Sequence, residues 1–162
     1  IEPFSTVRIL LVAHKKYGLV PEEEQEQNSP DNPYLLDPEK LQNLPFIAPP
    51  PANGMYRTFQ RMIGLYGIHP KSSIVIDMMT TGLRLTKEGL GVQFISAAIL
   101  ISISALERQN TLDYCILPDL PDSRPCSVAW REETEFLPLI HETVEILKNE
   151  VIPKQLYTQV TL

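Results

Sequence analysis

Positive charge is in short supply. The 162 residues carry 14 Lys+Arg against 20 Asp+Glu, a formal net charge of −6. Binding a phosphate backbone takes a clustered positive field, so no nucleic-acid surface is expected on this chain, and any DNA contact must come from sequence outside it. Cysteine is scarce as well. Cys115 and Cys126 are the two present, too far apart for a CxxC motif and too few for a disulfide framework; reduced thiols in a cytoplasmic protein are expected. Long apolar runs are missing. The most apolar window, Leu90 to Leu106, is interrupted by Gln93, Ser96, Ser102 and Ser104 and falls short of the ~20 residues of a membrane helix. No basic stretch leads into an apolar one at the start, so no signal peptide is expected, and the opening Ile1 reads as the edge of a piece cut from something longer.

Catalytic signatures are absent too. His14, His69 and His141 are scattered over three elements with no HExxH and no carboxylates at ligand spacing, so no metal site is expected. Without a GxSxG elbow, a P-loop or a GxGxxG, acyl transfer, nucleotide hydrolysis and dinucleotide binding have no sequence handle, and no cofactor is expected. The run Glu22, Glu23, Glu24 and Glu26 imitates a cation site, but reads better as a solvated face.

What remains is an ordinary globular composition, 43% hydrophobic with 15 prolines, and a regular alternation of elements. "VRILLVAH" (7–14) is an apolar run that fits a strand covered on both faces. The acidic stretch through 21–33 reads as a solvated, mobile loop. Asp37 and Pro38 signal a short helix, and "PFIA" a second strand ended by Pro49, Pro50 and Pro51. Met55, Phe59, Met62, Ile63 and Tyr66 mark one face of a helix, with Asn53 as its cap and Gly67 as its stop. "SSIVID" is a third strand and "MMTTGLRLTKEG" a second helix, anchored by Leu83 and Leu85. Gly89 closes that helix in a left-handed conformation, and Gly91 lets the chain turn tightly into the strand "VQFIS". A short helix near 97–103, strands "LDYCILP" and "CSVAWR", and a helix over about 133–151 complete the chain. The stripe expected on that last helix is Phe136, Leu137, Ile140, Val144, Leu147 and Val151, with Glu132, Glu133 and Glu135 at the positive end of its dipole. The alternation predicts an α/β fold with a mainly parallel sheet flanked by helices.

In such a sheet ligands sit beyond the carboxyl ends of the strands. Here the junctions "FIAPPPANG" and "IDMMTTG" place backbone amides of Ala52 to Gly54 and Met79 to Thr81 near a crevice, with the hydroxyls of Thr80 and Thr81. A plainer reading makes Asn53 and the threonines helix caps, and Met78 and Met79 core packing.

The order of "STVRILLVAH", "LLDPEKLQNLPFIAPPP", "FQRMIGLYGIHP", "TTGLRLTKEGLGVQFIS" and "CSVAWREETEFLPLIHETVEIL" resembles the effector-binding domain of LysR-type transcriptional regulators over nearly the whole chain. The resemblance implies a periplasmic-binding-protein-like (type 2) clamp, with residues 1–118, including the acidic loop 21–33, forming the second lobe. Residues 119–162 would supply the C-terminal strand and helix of an incomplete first lobe. It also implies an effector site on Pro49, Pro50, Pro51, Asp77, Met78, Met79, Thr80, Ile95 and Ser96, the glycine step fixing the strand that carries the last two. Arg57 is the one basic residue expected near its mouth. Two departures stand out: Ser96 occupies a position where the family commonly has proline, and loop 21–33 is longer than the family pattern.

The function expected on that footing is sensing of a small-molecule effector, without catalysis, in a cytoplasmic regulator. DNA would be contacted through a winged-helix domain absent here, and no membrane is involved. The last strand and helix, lacking half a lobe to pack on, point to a homo-oligomer. A transport-type solute-binding protein shares the clamp and is the alternative, and an enzyme on the same fold is weakened by the lack of a paired acid and base.

Overall fold

The computed structural model describes residues 1–104, 110–131, 136–151 and 158–160. Its organising element is the strand β1 (Glu2–His14). Leu10, Leu11, Val12 and Ala13 are all essentially inaccessible, and successive side chains enter opposite cores as the two-residue period of a strand requires. Ile9, Leu11 and Ala13 join Phe46, Phe59, Met62, Phe94 and Cys115, while Leu10 and Val12 join Leu83, Ile95, Leu112 and Tyr114. An uninterrupted apolar run therefore forms a strand because both of its faces are covered.

The remaining strands follow as β2 (Tyr34–Leu35), β3 (Pro45–Ala48), β4 (Ser72–Val75), β5 (Gln93–Ser96), β6 (Leu112–Ile116), β7 (Ser123–Val128) and β8 (Thr158–Val160). The second half of β1 pairs antiparallel with β5 and β6, and its first half antiparallel with β7 and β8. β2 runs parallel to β6, β3 parallel to β4, and a parallel bridge from Phe46 to Val92 joins β3 to the entry of β5. Thus β2, β6, β5, β3 and β4 share one direction, and β1 alone runs against them in their midst. The mainly parallel α/β fold is present, with β1 as its antiparallel member.

The helices are α1 (Tyr56–Tyr66), α2 (Met79–Lys87) and α3 (Leu137–Ile146); α1 buries Phe59 and Met62 of its expected face, and α2 buries Leu83. Gly67 ends α1 in the left-handed region at φ 59°, as expected. Asp37 accepts from the Glu39 amide and opens a short 3-10 turn over Pro38–Leu41.

Four expectations need correction. Loop 21–33 is tied down rather than free. Asn28 donates from Nδ2 to the Tyr114 carbonyl at 2.8 Å and accepts from the Tyr114 amide at 2.9 Å, so one side chain stands in for a neighbouring strand on β6. Gln25 donates to the buried Asp113 carboxylate at 2.9 Å, and Arg8 donates to the Pro30 carbonyl at 3.0 Å. Second, β7 begins at Ser123 rather than Cys126, because its ladder with β1 extends to Arg8 opposite Ser123. Third, of the stripe expected on the last helix Val144 is buried, whereas Phe136 is 60% exposed; Leu137, Ile140 and Leu147 are half-buried. Glu132, Glu133 and Glu135 and the side chain of Val151 lie outside the described residues. Fourth, Gly91 does not make a turn: a Cβ there would stand 3.0 Å from the Pro45 carbonyl oxygen and 3.1 Å from Ile47 Cγ1. Its bare backbone lets β3 approach, sealed by Val92 N–H to the Pro45 carbonyl at 2.9 Å and Ile47 N–H to the Val92 carbonyl at 2.8 Å. Gly89 behaves as expected, at φ 73°.

Candidate binding edge and an adjoining cleft

Because β3, β4 and β5 point the same way, their carboxyl ends meet on one edge, bringing segments 49–51, 76–80 and 96 together. The β3–β4 pairing continues past its last strand residues, with the Ile76 amide donating to the Ala48 carbonyl at 3.0 Å. Behind β3, the Asn53 amide donates to the Pro50 carbonyl at 2.9 Å and Asn53 Oδ1 accepts from the Met55 amide at 2.9 Å. That closes the turn that leads into α1, whereas the N-cap position itself falls on Met55 and no side chain caps the helix, so Asn53 shapes the turn ahead of α1 rather than capping it.

The nine expected residues divide. Asp77 and Pro51 are exposed, Pro50, Met79, Thr80 and Ser96 are half-buried, and Met78 is 64% exposed; these can meet a ligand. Pro49 is buried. Ile95 is wholly buried, faces Leu10 across the β1–β5 ladder and packs in the core with Leu83 and Ala97; alternation along β5 directs it away from the edge. No side chain caps α2, so Thr80 and Thr81 do not have the capping task that the plainer reading assigned them. Met79 does double duty: it packs against both cores, and its sulfur accepts from the Ser96 amide at 3.4 Å, tying the start of α2 to the end of β5. A proline at 96 has no N–H to donate, so serine at that position allows this link.

Two buried ionisable groups lie on β6, away from this edge: Asp113 pairs with Ala13 and Cys115 with Leu11, whereas Ser96 pairs with Ile9. Burial pushes the Asp113 carboxyl above the ordinary carboxylate range, and the hydrogen bonds from Gln25 and the Val20 amide only partly offset it. Burial likewise pushes the Cys115 thiol far up, the behaviour of an inert core cysteine rather than a nucleophile. Both cysteines are free. Among the described residues no three His, Cys, Asp or Glu side chains gather as a metal site, and no helix is long and apolar enough to cross a membrane.

Sequence reasoning missed a cleft of about 280 Å³ between α1 and the start of β7, lined by Gly54, Arg57, Thr58, Arg61, Ser123 and Arg124 among others. Arg57 and Arg61 are one turn apart, which the sequence does show; Arg124 joins them only through the fold.

Comparison with known proteins agrees with this architecture. The family described as LysR substrate binding domain matches residues 2–151. No curated protein sequence matches the chain. The structure is similar to the regulatory domain of CcmR from Synechocystis PCC6803 in complex with 2-PG, with TM-score 0.69 and 12% identity over 93% of this chain and 67% of that one. It is similar to the regulatory domain of NMB2055 (MetR), a LysR family regulator from N. meningitidis, with TM-score 0.67 and 10% identity over 99% of this chain and 70% of that one. The BenM effector binding domain with its effector benzoate gives TM-score 0.58 and 17% identity over 90% of this chain, which spans 61% of that domain.

Proposed function

Since the chain belongs to the LysR substrate-binding domain family, we propose that it is the ligand-sensing part of a transcription regulator, whose small-molecule effector docks on the edge formed by 50–51, 77–80 and Ser96. The observation that carries this is the convergence of three parallel strand ends, the open start of α2 and the Met79–Ser96 link on one edge. Effector contact there biases the position of α2 against β5, and such a bias is the currency of a population shift.

The pairing of β1 supports a division into 1–118 and 119–162. Its second half builds one sheet with β5 and β6 while its first half joins β7 and β8, so β1 and β7 run side by side as the two connections of a clamp. Closure about these strands would alter subunit arrangement, and with it the spacing of winged-helix domains carried elsewhere in the regulator. The regulator acts in the cytoplasm as a homo-oligomer and without catalysis.

The test is a titration followed by ¹H–¹⁵N spectra of the chain, with a panel of small carboxylates that includes benzoate and 2-PG. Saturable shifts at the amides of Met79, Thr80 and Ser96 are expected, abolished by Thr80→Val with Ser96→Ala. Saturation confined to other residues, or no saturation across the panel, would overturn the assignment.

A further inference from the structure

We propose that α2 is a lever with two seats on β5, told apart by which partner the buried Gln93 amide takes. From the effector reading above it takes only what pulls the lever; the two seats belong to the chain by itself. Along β5 the side chains alternate, so Gln93 shares with Ile95 the face that packs under α2, opposite Val12 in the ladder to β1. It is 4% exposed, in a layer built from Leu10, Val12, Leu83, Ile95 and other apolar side chains. Its amide lies on the bare backbone of Gly82, where a Cβ would stand 2.5 Å from Gln93 Nε2 and 2.8 Å from Oε1. One helical turn further along the same face of α2 stands Thr86, wholly buried. Neither Gln93 Oε1 nor Thr86 Oγ1 has a hydrogen-bond partner among the described residues. The threonine hydroxyl does not even bond back to the carbonyl four residues before it, a common recourse inside a helix.

Buried polar atoms without partners are disfavoured, and these two are complementary, since a hydroxyl donates and an amide oxygen accepts. They do not pair while the amide lies on Gly82. The two ends of α2 show how they can. At its C-terminal end the helix is pinned: Tyr17 Oη donates to the Gly89 carbonyl at 2.8 Å, and Val92, just beyond, is sealed to β3. At its start no side chain caps it. Apart from the packing of the half-buried Met79 side chain, the printed tie to β5 there is one weak bond, from the Ser96 amide to the Met79 sulfur at 3.4 Å. Tilting about the pinned end lifts the start of α2 from β5, opens the Gly82 contact and lets Gln93 swing to Thr86. One sulfur bond is exchanged for one hydroxyl–amide bond, so the two seats lie close in free energy, and an effector wedged at Met79 and Ser96 favours the second.

Relaxation-dispersion NMR of the chain with no ligand added tests the two seats. Exchange on the microsecond-to-millisecond scale is expected at the Gln93 side-chain amide and at the backbone amides of Thr80 and Ser96, with one common rate and a second seat populated at about 1–10%. Thr86→Val keeps the shape of the side chain and removes its hydroxyl, so the second seat loses its bond. Exchange at all three sites should vanish, while the melting temperature stays level or rises because the hydroxyl is unpaired in the first seat. Gly82→Ala puts a methyl where the amide lies and should populate the second seat at least fivefold more. The proposal falls if the free chain shows no exchange, if exchange survives in Thr86→Val, if that variant melts below the native chain, or if Gly82→Ala leaves the second seat no better populated. It falls equally if a long-lived water contacts both groups without exchange, which would make them a static hydrated pair. Because no ligand is added, failure of the effector reading leaves these outcomes standing, and failure here leaves the carboxylate titration standing.

Discussion

The amide of Asn28 both donates to and accepts from the backbone of Tyr114, so Asn28→Ala removes two hydrogen bonds that hold the loop to β6. At roughly 0.5–1.5 kcal/mol each, a loss of about 2 kcal/mol is expected, a fall of about 4–8 °C in melting temperature for a chain of this size. Asp113 is the reverse case, a buried carboxylate whose ionised form is disfavoured. Its folded pKa lies above the unfolded value, so the protonated group favours folding at low pH and that contribution is lost as pH rises through the raised pKa. The melting temperature of the native chain, taken relative to Asp113→Asn, is therefore expected to fall between pH 4 and 7; a difference constant across that range would refute the assignment. The two glycines after α2 separate two costs. Gly91→Ala drives a Cβ into the backbone of β3, and overpacking of that kind costs about 1–3 kcal/mol. At Gly89 the Cβ meets the tip of Lys16, which can swing aside, leaving the left-handed backbone penalty of about 1–2 kcal/mol. Denaturant unfolding of both variants should show losses in those ranges, with the Gly91 loss accompanied by weaker amide protection at Val92 and Ile47.

Among the elements, legibility followed burial. β1, α1 and α2 were readable because their apolar residues recur at the period of the face they bury, and Gly67 and Gly89 marked helix ends by a conformation few other residues adopt. β2 was not readable: two residues, Tyr34 and Leu35, carry no period, and only the ladder to β6 makes them a strand. Loop 21–33 was misread because its composition is that of solvated chain, while its order comes from two side-chain amides reaching β6. On the binding edge, the strand-end rule located the right segments, but it could not separate Ile95, turned into the core, from Ser96, turned to the edge, without the register against β1. The arginine cleft was half visible in the spacing of Arg57 and Arg61. Arg124 is distant in sequence, and no local pattern brings it there.

For the whole molecule, the exposed apolar residues bear on assembly. Phe136, Leu139 and Ile146 are 60%, 60% and 47% exposed and fall close to one face of α3, a patch that soluble monomers ordinarily cover. The chain is expected to self-associate through that face. Light scattering behind size exclusion should give a mass above 18.4 kDa that Leu139→Glu returns to the monomer; a monomer at high micromolar concentration in the unaltered chain would overturn this. The central position of β1 also dictates when the molecule can fold. Its ladder partners begin with Gln93, whereas β3 and β4 need only residues up to Val75. At about 5–20 residues per second of synthesis, Ile9 waits on the order of 4 to 17 s for Ser96, its partner in the β1–β5 ladder. For that interval the most apolar strand of the nascent chain is uncovered, a natural client for a ribosome-bound chaperone, while the β3–β4 pair and α1 already have the residues they require.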